Sequence, residues 1–483
     1  MERFDNFING AWVAPTGGAY YQLHNPGKND EALGSFPLSQ PGDVDTAVAA
    51  AKTAFAEWGK MLPDQRAKYV YAFIDLLEKN VQHLGEVLCR EQGKTLAESV
   101  GEASRGVKEC RYVIGEATRL EGMSLPSERA NVTNTAVRVP IGVVAAITPW
   151  NFPILTPLRK IVPALVAGCT VVFKPAYDTP LCGIELMKLF EQAGLPKGVL
   201  NLVIGKGSVM GDALSDHPDI AGISFTGSTG VGRRINERAA SHFAKIQLEM
   251  GGKNPALVAN YANLEFAATQ ICNAAFANAG QRCTAVSRVV VVESQAEALE
   301  KLLVAKVRAY KVGYGMDAGT QIGPVVNEKA GKDIMAYIES ARKEGATVAA
   351  GGNRLTGGVY DKGFYIEPTL ITGVTPKMTV AVDEIFGPVL SVIRVKDFAE
   401  GLAVCNDTQY GLSTCVFTDE QANIFDFMRD AEAGMVHINH GSVSESFMPF
   451  GGVKASGLGN FGIGSTNKDF FTTWKVIYNQ FKP

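Results

Sequence analysis

Val143-Val-Ala-Ala-Ile-Thr-Pro-Trp-Asn-Phe-Pro-Ile-Leu-Thr-Pro-Leu-Arg-Lys-Ile-Val-Pro-Ala-Leu-Val-Ala-Gly-Cys-Thr-Val-Val-Phe-Lys174 is the stretch on which the fold turns. An unbroken apolar run fills 143–147, a helical pattern follows near 156–167, and a second apolar run fills 170–173. Short apolar runs separated by helices are the mark of strands buried on both faces, as in a parallel sheet. The rhythm continues through runs at 199–204 and 223–225, with helical stretches near 181–193 and 208–215. It resumes at 255–258, 288–292, 389–395, 413–417 and 435–439. The chain is therefore read as α/β, with two successive regions joined near the turn Glu249-Met-Gly-Gly-Lys-Asn254. Upstream, 43–60 and 64–120 read as helical, because Val44, Val48, Ala51, Phe55 and Trp58, then Val70, Phe73, Leu77, Val81 and Leu84, recur at helical spacing. Segments 123–142 and 470–479 look like isolated strands. Lone strands need partners, so a separate small sheet is expected, formed within the chain or across subunits.

The chain has 483 residues, with 46 Lys+Arg against 49 Asp+Glu, 46% hydrophobic and 20% charged residues. Near-balanced charge argues against nucleic-acid or membrane-surface binding by a broad electrostatic field. Such a length suggests two or three domains, and 51 glycines suggest many tight turns and close backbone approaches. The start, Met1-Glu-Arg-Phe-Asp5, has no secretory pattern. The longest apolar stretch, 161–173, is interrupted by Pro163 and is too short for a bilayer. Eight cysteines never form CxxC and six histidines never form HExxH, so no metal site is expected. Scattered single cysteines fit a reducing cytoplasm.

One cysteine differs in its setting. Cys283, in Phe276-Ala-Asn-Ala-Gly-Gln-Arg-Cys-Thr-Ala285, follows small residues and has Arg282 beside it. A thiol attacks as thiolate, and a neighbouring cation favours that form; taken alone, such a cysteine is more often structural. Glu249 ends an apolar–polar run on two glycines, where a carboxylate can activate water or simply be solvated. Asn151 follows Ala145-Ala-Ile-Thr-Pro-Trp150, where a strand gives way to a helix, at the ligand-facing edge of a parallel sheet. Its amide can stabilise an oxyanion or cap the helix. Phe225-Thr-Gly-Ser-Thr-Gly-Val-Gly232 follows a strand and opens a helix, so its backbone N–H groups can meet a pyrophosphate, although it departs from GxGxxG. Lys174 ends another strand in Val172-Phe-Lys-Pro-Ala176.

Taken jointly, Asn151, Lys174, Gly227-x-Thr-x-x-Gly232, Glu249-Met-Gly-Gly252, Gly280-Gln-Arg-Cys283, Glu384-Ile-Phe-Gly-Pro388 and Pro449-Phe-Gly-Gly452 resemble the aldehyde dehydrogenase superfamily in order and spacing. With Phe7-Ile-Asn-Gly-Ala-Trp12 the resemblance covers essentially the whole chain. It implies an NAD(P)-binding domain with a modified Rossmann sheet (1–122 and 143–250), a catalytic α/β domain (251–452), and a small β oligomerisation sheet (123–142 and 465–483). It also implies a homodimer or homotetramer that oxidises a small-molecule aldehyde. Cys283 is then the nucleophile, and Asn151 with the Cys283 N–H holds the thiohemiacetal oxyanion. Glu249 activates the water that releases the acid from the thioester. NAD or NADP is the implied cofactor, bound by Trp150, Lys174, Tyr177, Gly227, Ser228, Gly232, Glu384 and Phe386, with Glu384 on the nicotinamide ribose and Lys174 on the adenosine ribose.

Two departures sharpen the expectation. Strongly NAD-preferring members often have glutamate three residues after the lysine; this chain has Tyr177. Losing a carboxylate there removes repulsion of a 2′-phosphate, so dual use of NAD and NADP is expected. Eight residues after Asn151 stands Arg159, where enzymes for simple aliphatic aldehydes tend to have an aromatic residue and those for succinic semialdehyde or lactaldehyde have arginine. An arginine fork recognises a carboxylate bidentately, so Arg159, with Arg282 and a loop serine such as Ser442, is expected at the substrate; a structural ion pair is the other reading of Arg159. The second arginine of dedicated succinic semialdehyde enzymes is absent, since Ala277 stands there. A short polar or anionic aldehyde is expected, with a second anchor unassigned. The alternatives are apolar aliphatic or aromatic aldehydes, or a CoA-acylating semialdehyde dehydrogenase, against which Glu249 argues.

Overall fold

The run Val143–Ile147 is a strand buried at every residue, as are Thr170–Lys174 and Leu200–Leu202 beside it. Together with Ile220–Thr226 and Lys245–Glu249 they form five parallel strands in the order 200–202, 170–174, 143–147, 220–226, 245–249. The chain thus builds outward from Val143–Ile147 to one side, then returns to build on the other. That reversal places a topological switch point between Val143–Ile147 and Ile220–Thr226, where open α/β sheets bind ligands. The structure is a computed structural model and describes residues 1–481; Lys482 and Pro483, the end of the expected 465–483 segment, lie outside the described residues.

A second sheet of seven strands runs in the order 347–350, 369–372, 389–395, 286–292, 254–258, 413–417, 435–438, parallel except at Thr347–Ala350. Lys245–Glu249 leaves the first sheet at its C-terminal end and enters the second through the turn to Asn254–Val258. The cleft therefore lies where strand C-termini of one sheet meet strand N-termini of the other. The helices expected near 156–167, 181–193 and 208–215 are Leu155–Ala167, Pro180–Gln192 and Gly207–Asp216.

The isolated strands pair with each other. Thr472–Gln480 runs antiparallel to Val132–Pro140, Thr472 opposite Pro140 through Gln480 opposite Val132, with Met123–Leu125 on the far side. Trp474, Val476, Ile477 and Tyr478 on the outer strand are exposed.

Three features depart from the sequence reading. The helical stretch 64–120 is three helices, Pro63–Lys79, Val81–Gln92 and Leu96–Ile114, interrupted at Asn80 and at Gly93, whose φ of 96° ends a helix in the left-handed region. The hairpin Asn6–Ile8 with Ala11–Val13 extends one edge of the first sheet, Phe7 pairing with Leu202. At the other edge Gly457–Gly459, from the far end of the chain, pairs antiparallel with Lys245–Glu249. These strands are three residues each, too short for a period to show. No helix among the described residues is long and apolar enough to cross a membrane.

Candidate active site

Strand ends at the switch point deliver Trp150 and Asn151 on one side and Gly227 and Ser228 on the other, and all four line one cavity of about 490 Å³. Cys283 and Arg282 line the same cavity, as do Glu249, Glu384, Phe386 and Arg159. Cys283 reaches it from the N-terminal end of its strand, Val286–Val292, rather than from a C-terminal one.

The approach to Cys283 is conformationally strained. Asn278 and Ala279 both have positive φ, 54° and 53°, and Gly280 follows at 70°. At Gly280 a Cβ would collide with the Gly387 carbonyl, so glycine is required there. Phe386 (56°) and Ile463 (59°) also line the cavity with positive φ; such outliers persist only where surrounding contacts fix them. Asn278 N–H donates to Glu98 Oε1 at 2.7 Å, and Glu98 in turn closes the capping box with Thr95 that starts the helix Leu96–Ile114. Asn254 Nδ2 donates to the Cys283 carbonyl at 2.7 Å and the Ala285 carbonyl at 2.9 Å. The Cys283 N–H itself has no acceptor among the described residues.

Electrostatics at the thiol run against the expectation drawn from Arg282. Burial pushes the Cys283 thiol up to about 11, helped by the Glu384 carboxylate, and Arg282 only partly opposes this. The remaining seven cysteines are buried and free.

Asn151 is 4% exposed, and its Nδ2 donates to the Gln281 carbonyl at 2.9 Å, leaving one amide hydrogen without an acceptor among the described residues. Its backbone carbonyl accepts from Lys94 Nζ at 2.7 Å. Lys94 is ion-paired with Glu102 at 2.6 Å, both fully buried, and Glu102 Oε1 also accepts from the Ile154 and Leu155 N–H groups at 3.0 Å. A buried carboxylate thus caps the helix Leu155–Ala167 while its other oxygen holds the lysine that holds Asn151.

Glu249 has one carboxylate oxygen buried without a partner. Burial raises its affinity for a proton, and the buried Lys160, whose own is lowered by burial, pulls in the opposite direction. Glu384 packs against Gly251, where any Cβ would collide with its carboxylate, and accepts from the Gly252 N–H at 2.9 Å. Burial pushes its carboxyl up to about 7.

Among the residues expected at the cofactor, Trp150 and Phe386 meet edge-on with ring centroids 5.4 Å apart. Gly227 and Ser228 open the helix Thr229–Ala239, and the Ser228 hydroxyl is not consumed in capping it. Gly232, Lys174 and Tyr177 do not line the cavity that holds Cys283. Lys174 is buried, pushed down to about 8 by burial, with Nζ on the Pro175 carbonyl at 2.8 Å. Tyr177 stacks on Tyr21, centroids 4.0 Å apart. The adjacent Asp178 accepts from Asn327 Nδ2 at 3.1 Å. The free helix N-terminus and the glycine-lined approach to a carboxylate suit a dinucleotide: backbone donors for pyrophosphate, and Glu384 as acceptor for ribose hydroxyls.

The substrate residues divide. Arg159 lines the cavity but is held bidentately by Glu109, Nε to Oε2 at 2.7 Å and Nη2 to Oε1 at 2.8 Å. The structural ion pair is thus present, and it leaves Nη1 without an acceptor among the described residues. Arg282 donates to Thr284 Oγ1 at 3.3 Å and keeps a buried Nε unpartnered. The Ser442 hydroxyl donates to the Thr284 carbonyl at 2.7 Å and Ser442 does not line the cavity, whereas Ser444 does. Lys94, Glu102, Arg105, Glu109 and Lys160 had no motif to mark them, save that Lys94 directly precedes the capping box at Thr95.

A sheet switch point and a single cysteine thus share one cavity. The chain belongs to the aldehyde dehydrogenase family, whose model matches residues 12–477, and it is an NAD(P)-dependent aldehyde dehydrogenase. It is 40% identical over 474 residues to an alpha-ketoglutaric semialdehyde dehydrogenase of Bacillus subtilis (strain 168), covering 98% of this chain and 97% of that one. It is 38% identical to a malonate-semialdehyde dehydrogenase of Bacillus subtilis subsp. natto, covering 100% and 98%. A betaine aldehyde dehydrogenase from Staphylococcus aureus, solved with NAD+, superposes with a TM-score of 0.96 at 33% identity, covering 99% of this chain and 96% of that one. Solved neighbours hold NAD+ or NADP.

Proposed function

We propose that this enzyme oxidises a short aldehyde bearing an anionic or polar group, of the semialdehyde or lactaldehyde type, to the carboxylic acid. The observation that carries the reading is Arg159, a guanidinium on the wall of the cavity that holds Cys283. The semialdehyde names of the relatives support it. In the proposed reaction the Cys283 thiolate adds to the aldehyde carbon. The free amide hydrogen of Asn151 and the unpaired Cys283 N–H receive the oxyanion, each such donor contributing about 10²–10³-fold. The bound nicotinamide supplies a hydride acceptor. Glu249, its proton affinity raised by burial, then takes a proton from the water that attacks the thioester, regenerating Cys283.

Glu384 is assigned to the nicotinamide ribose and Phe386 with Trp150 to the nicotinamide side. Gly227, Ser228 and Gly232 are assigned to the pyrophosphate, and Lys174 with Tyr177 to the adenosine ribose. Both NAD and NADP are used, because the position after Pro175-Ala176 offers a neutral phenol and Asp178 is engaged with Asn327. The outer strand Thr472–Gln480, with exposed apolar side chains and an open edge, supports assembly into a homodimer or homotetramer through residues 123–142 and 465–483. The cofactor domain is assigned to 1–122 with 143–250 and the catalytic domain to 251–452. The free cysteines are in keeping with the cytoplasmic location proposed for the enzyme.

Initial-rate kinetics on propanal, hexanal, benzaldehyde, lactaldehyde, glycolaldehyde and succinic semialdehyde test the substrate reading. Acidic or hydroxylated aldehydes are expected to lead in kcat/KM by about tenfold, which corresponds to about 1.4 kcal/mol. A lead for hexanal or benzaldehyde refutes it.

A further inference from the structure

Gln281 is fully buried and does not line the cavity, so it touches neither substrate nor cofactor. Its polar groups are nonetheless bonded on every side. The backbone N–H and the side-chain Nε2 both donate to the Asn278 carbonyl, at 3.0 and 3.1 Å. Its own carbonyl accepts from Asn151 Nδ2 at 2.9 Å and from Asn278 Nδ2 at 3.3 Å, and Oε1 accepts from the Val326 N–H at 2.9 Å. The two hydrogens of a planar amide point in fixed directions relative to each other. By holding one hydrogen of Asn151, the Gln281 carbonyl therefore sets where the other one aims. Cys283, whose N–H is the second donor proposed for the oxyanion, stands two residues further on. Both donors thus take their direction from residues 278–283.

That segment opens with Asn278, Ala279 and Gly280 all at positive φ, a backbone that keeps its shape only where outside contacts hold it. Glu98 pins its first N–H and Asn254 its last carbonyl; between them Gln281 Oε1 reaches out to Val326. The residue after Val326, Asn327, caps the helix Glu328–Lys343 by accepting from the Ala330 N–H at 2.8 Å, and its Nδ2 donates to Asp178 Oδ1 at 3.1 Å. Asp178 comes just after the strand Thr170–Lys174 of the first sheet and lies in the field of Lys174. Asn327 belongs to the segment leading to the second sheet, between the strands Val286–Val292 and Thr347–Ala350. Hydrogen bonds and one stretch of backbone therefore run from Asp178 through Asn327, Val326 and Gln281 to Asn151, crossing from the first sheet's side of the cleft to the second and back.

We propose that Gln281 is a positioning residue for both oxyanion donors, and that the chain Gln281–Val326–Asn327–Asp178 fixes the nucleophile segment relative to the loop assigned to the adenosine ribose. This inference rests on the oxyanion roles proposed above for Asn151 and Cys283.

The test measures kcat and KM at saturating NAD for wild type, Q281M, Q281E, D178A, N151A and the double variants of Q281M with D178A and with N151A. Propanal is the substrate, so that the outcome is independent of the anionic-aldehyde reading. Q281M keeps the length of the side chain and removes the acceptor for Val326; its kcat is expected to fall about 10- to 100-fold, within what one oxyanion donor is worth, with KM for propanal and for NAD little changed. Q281E keeps an acceptor opposite Val326 and is expected to retain more of kcat. D178A leaves the nucleophile segment and the Asn327 cap untouched; its kcat is expected to fall by a smaller factor, and hardly at all when Q281M is already present. In the N151A background Q281M is expected to cost less than in wild type, because one of the two donors it aims is gone; such non-additivity separates positioning from a general loss of structure. A Q281M enzyme within twofold of wild-type kcat, or fully additive losses with N151A, overturns the role of Gln281. Losses from D178A confined to KM for NAD, or additive with Q281M, overturn the link to the adenosine side. If N151A itself leaves kcat unchanged, the oxyanion reading falls and takes this inference with it; if N151A is impaired and Q281M is not, only this inference falls.

Discussion

Lys94→Met isolates the support of Asn151 from Asn151 itself. The substitution keeps the buried aliphatic stem, which runs to within 4.3 Å of the Phe152 ring at the ammonium, and removes only the charge. Two contacts vanish, one to Glu102 at 2.6 Å and one to the Asn151 carbonyl at 2.7 Å. Glu102 keeps its two bonds from Ile154 and Leu155 but is left as an uncompensated buried carboxylate. Breaking a buried pair in this way costs about 3–5 kcal/mol of stability, readable as a lower urea midpoint. The kinetic effect has a ceiling: Asn151 cannot lose more than an entire oxyanion donor is worth, about 10²–10³-fold in kcat. It also has a cushion, because Asn278 Nδ2 still touches the Asn151 carbonyl at 3.3 Å. The expected loss in kcat is therefore about 10- to 100-fold, with KM little changed. The decisive assay is a double-mutant cycle: in an Asn151→Ala background Lys94→Met should lower kcat hardly further, since there is no donor left to aim. Additive losses, or a Lys94→Met enzyme that is destabilised yet within twofold of wild-type kcat, would refute the argument.

Glu249→Gln should retain a single-turnover burst of reduced nicotinamide while steady-state turnover falls about 10²–10⁴-fold; loss of the burst as well would mean that Glu249 acts before the thioester. Because burial raises the Cys283 thiol to about 11, the thiolate fraction of the free enzyme grows with pH. Alkylation by iodoacetamide should accordingly accelerate close to tenfold per pH unit from 7 to 9, and a rate already flat at pH 8 would contradict the burial argument. Tyr177→Glu should lower kcat/KM for NADP by about tenfold or more relative to NAD, through charge repulsion across a few ångströms; an unchanged ratio would remove this position from the cofactor site. Replacing Val476 and Tyr478 by lysine on the outer strand should reduce the mass measured by light scattering, and an unaltered mass would place the subunit contact elsewhere.

The long buried strands were readable because each is a continuous apolar run flanked by helices, and the switch point followed from their order. Asn151 and Gly227 stand just beyond the ends of such strands, whereas Glu249 closes an alternating apolar–polar one. Cys283 and Glu384 precede strands instead; Glu384 was marked by the family pattern alone, and at Cys283 the local rule that a cation beside a thiol lowers its proton affinity gave way to burial. Ser442 illustrates a different limit: loop serines two residues apart are equivalent on paper, and only the packing against Thr284 turns one inward to the backbone and leaves the other in the cavity. Lys94, Glu102, Arg105 and Glu109 lie on or beside one helix with ordinary surface-like composition. Their burial arises from a neighbour, the helix Leu155–Ala167, that is more than forty residues away in sequence.

The pairing of Gly457–Gly459 with Lys245–Glu249 has a consequence for biosynthesis. The edge of the first sheet opens to solvent as soon as residue 249 leaves the ribosome, and its cover emerges only with residue 459. At about 5–20 residues per second, that gap lasts roughly ten to forty seconds. Throughout it the nascent chain displays an unpaired strand edge beside a finished parallel sheet, a template for pairing with any neighbouring chain. Polysomes crowded with half-made copies are where this enzyme is most exposed to aggregation, and a premature stop anywhere between 250 and 456 would make that transient state permanent.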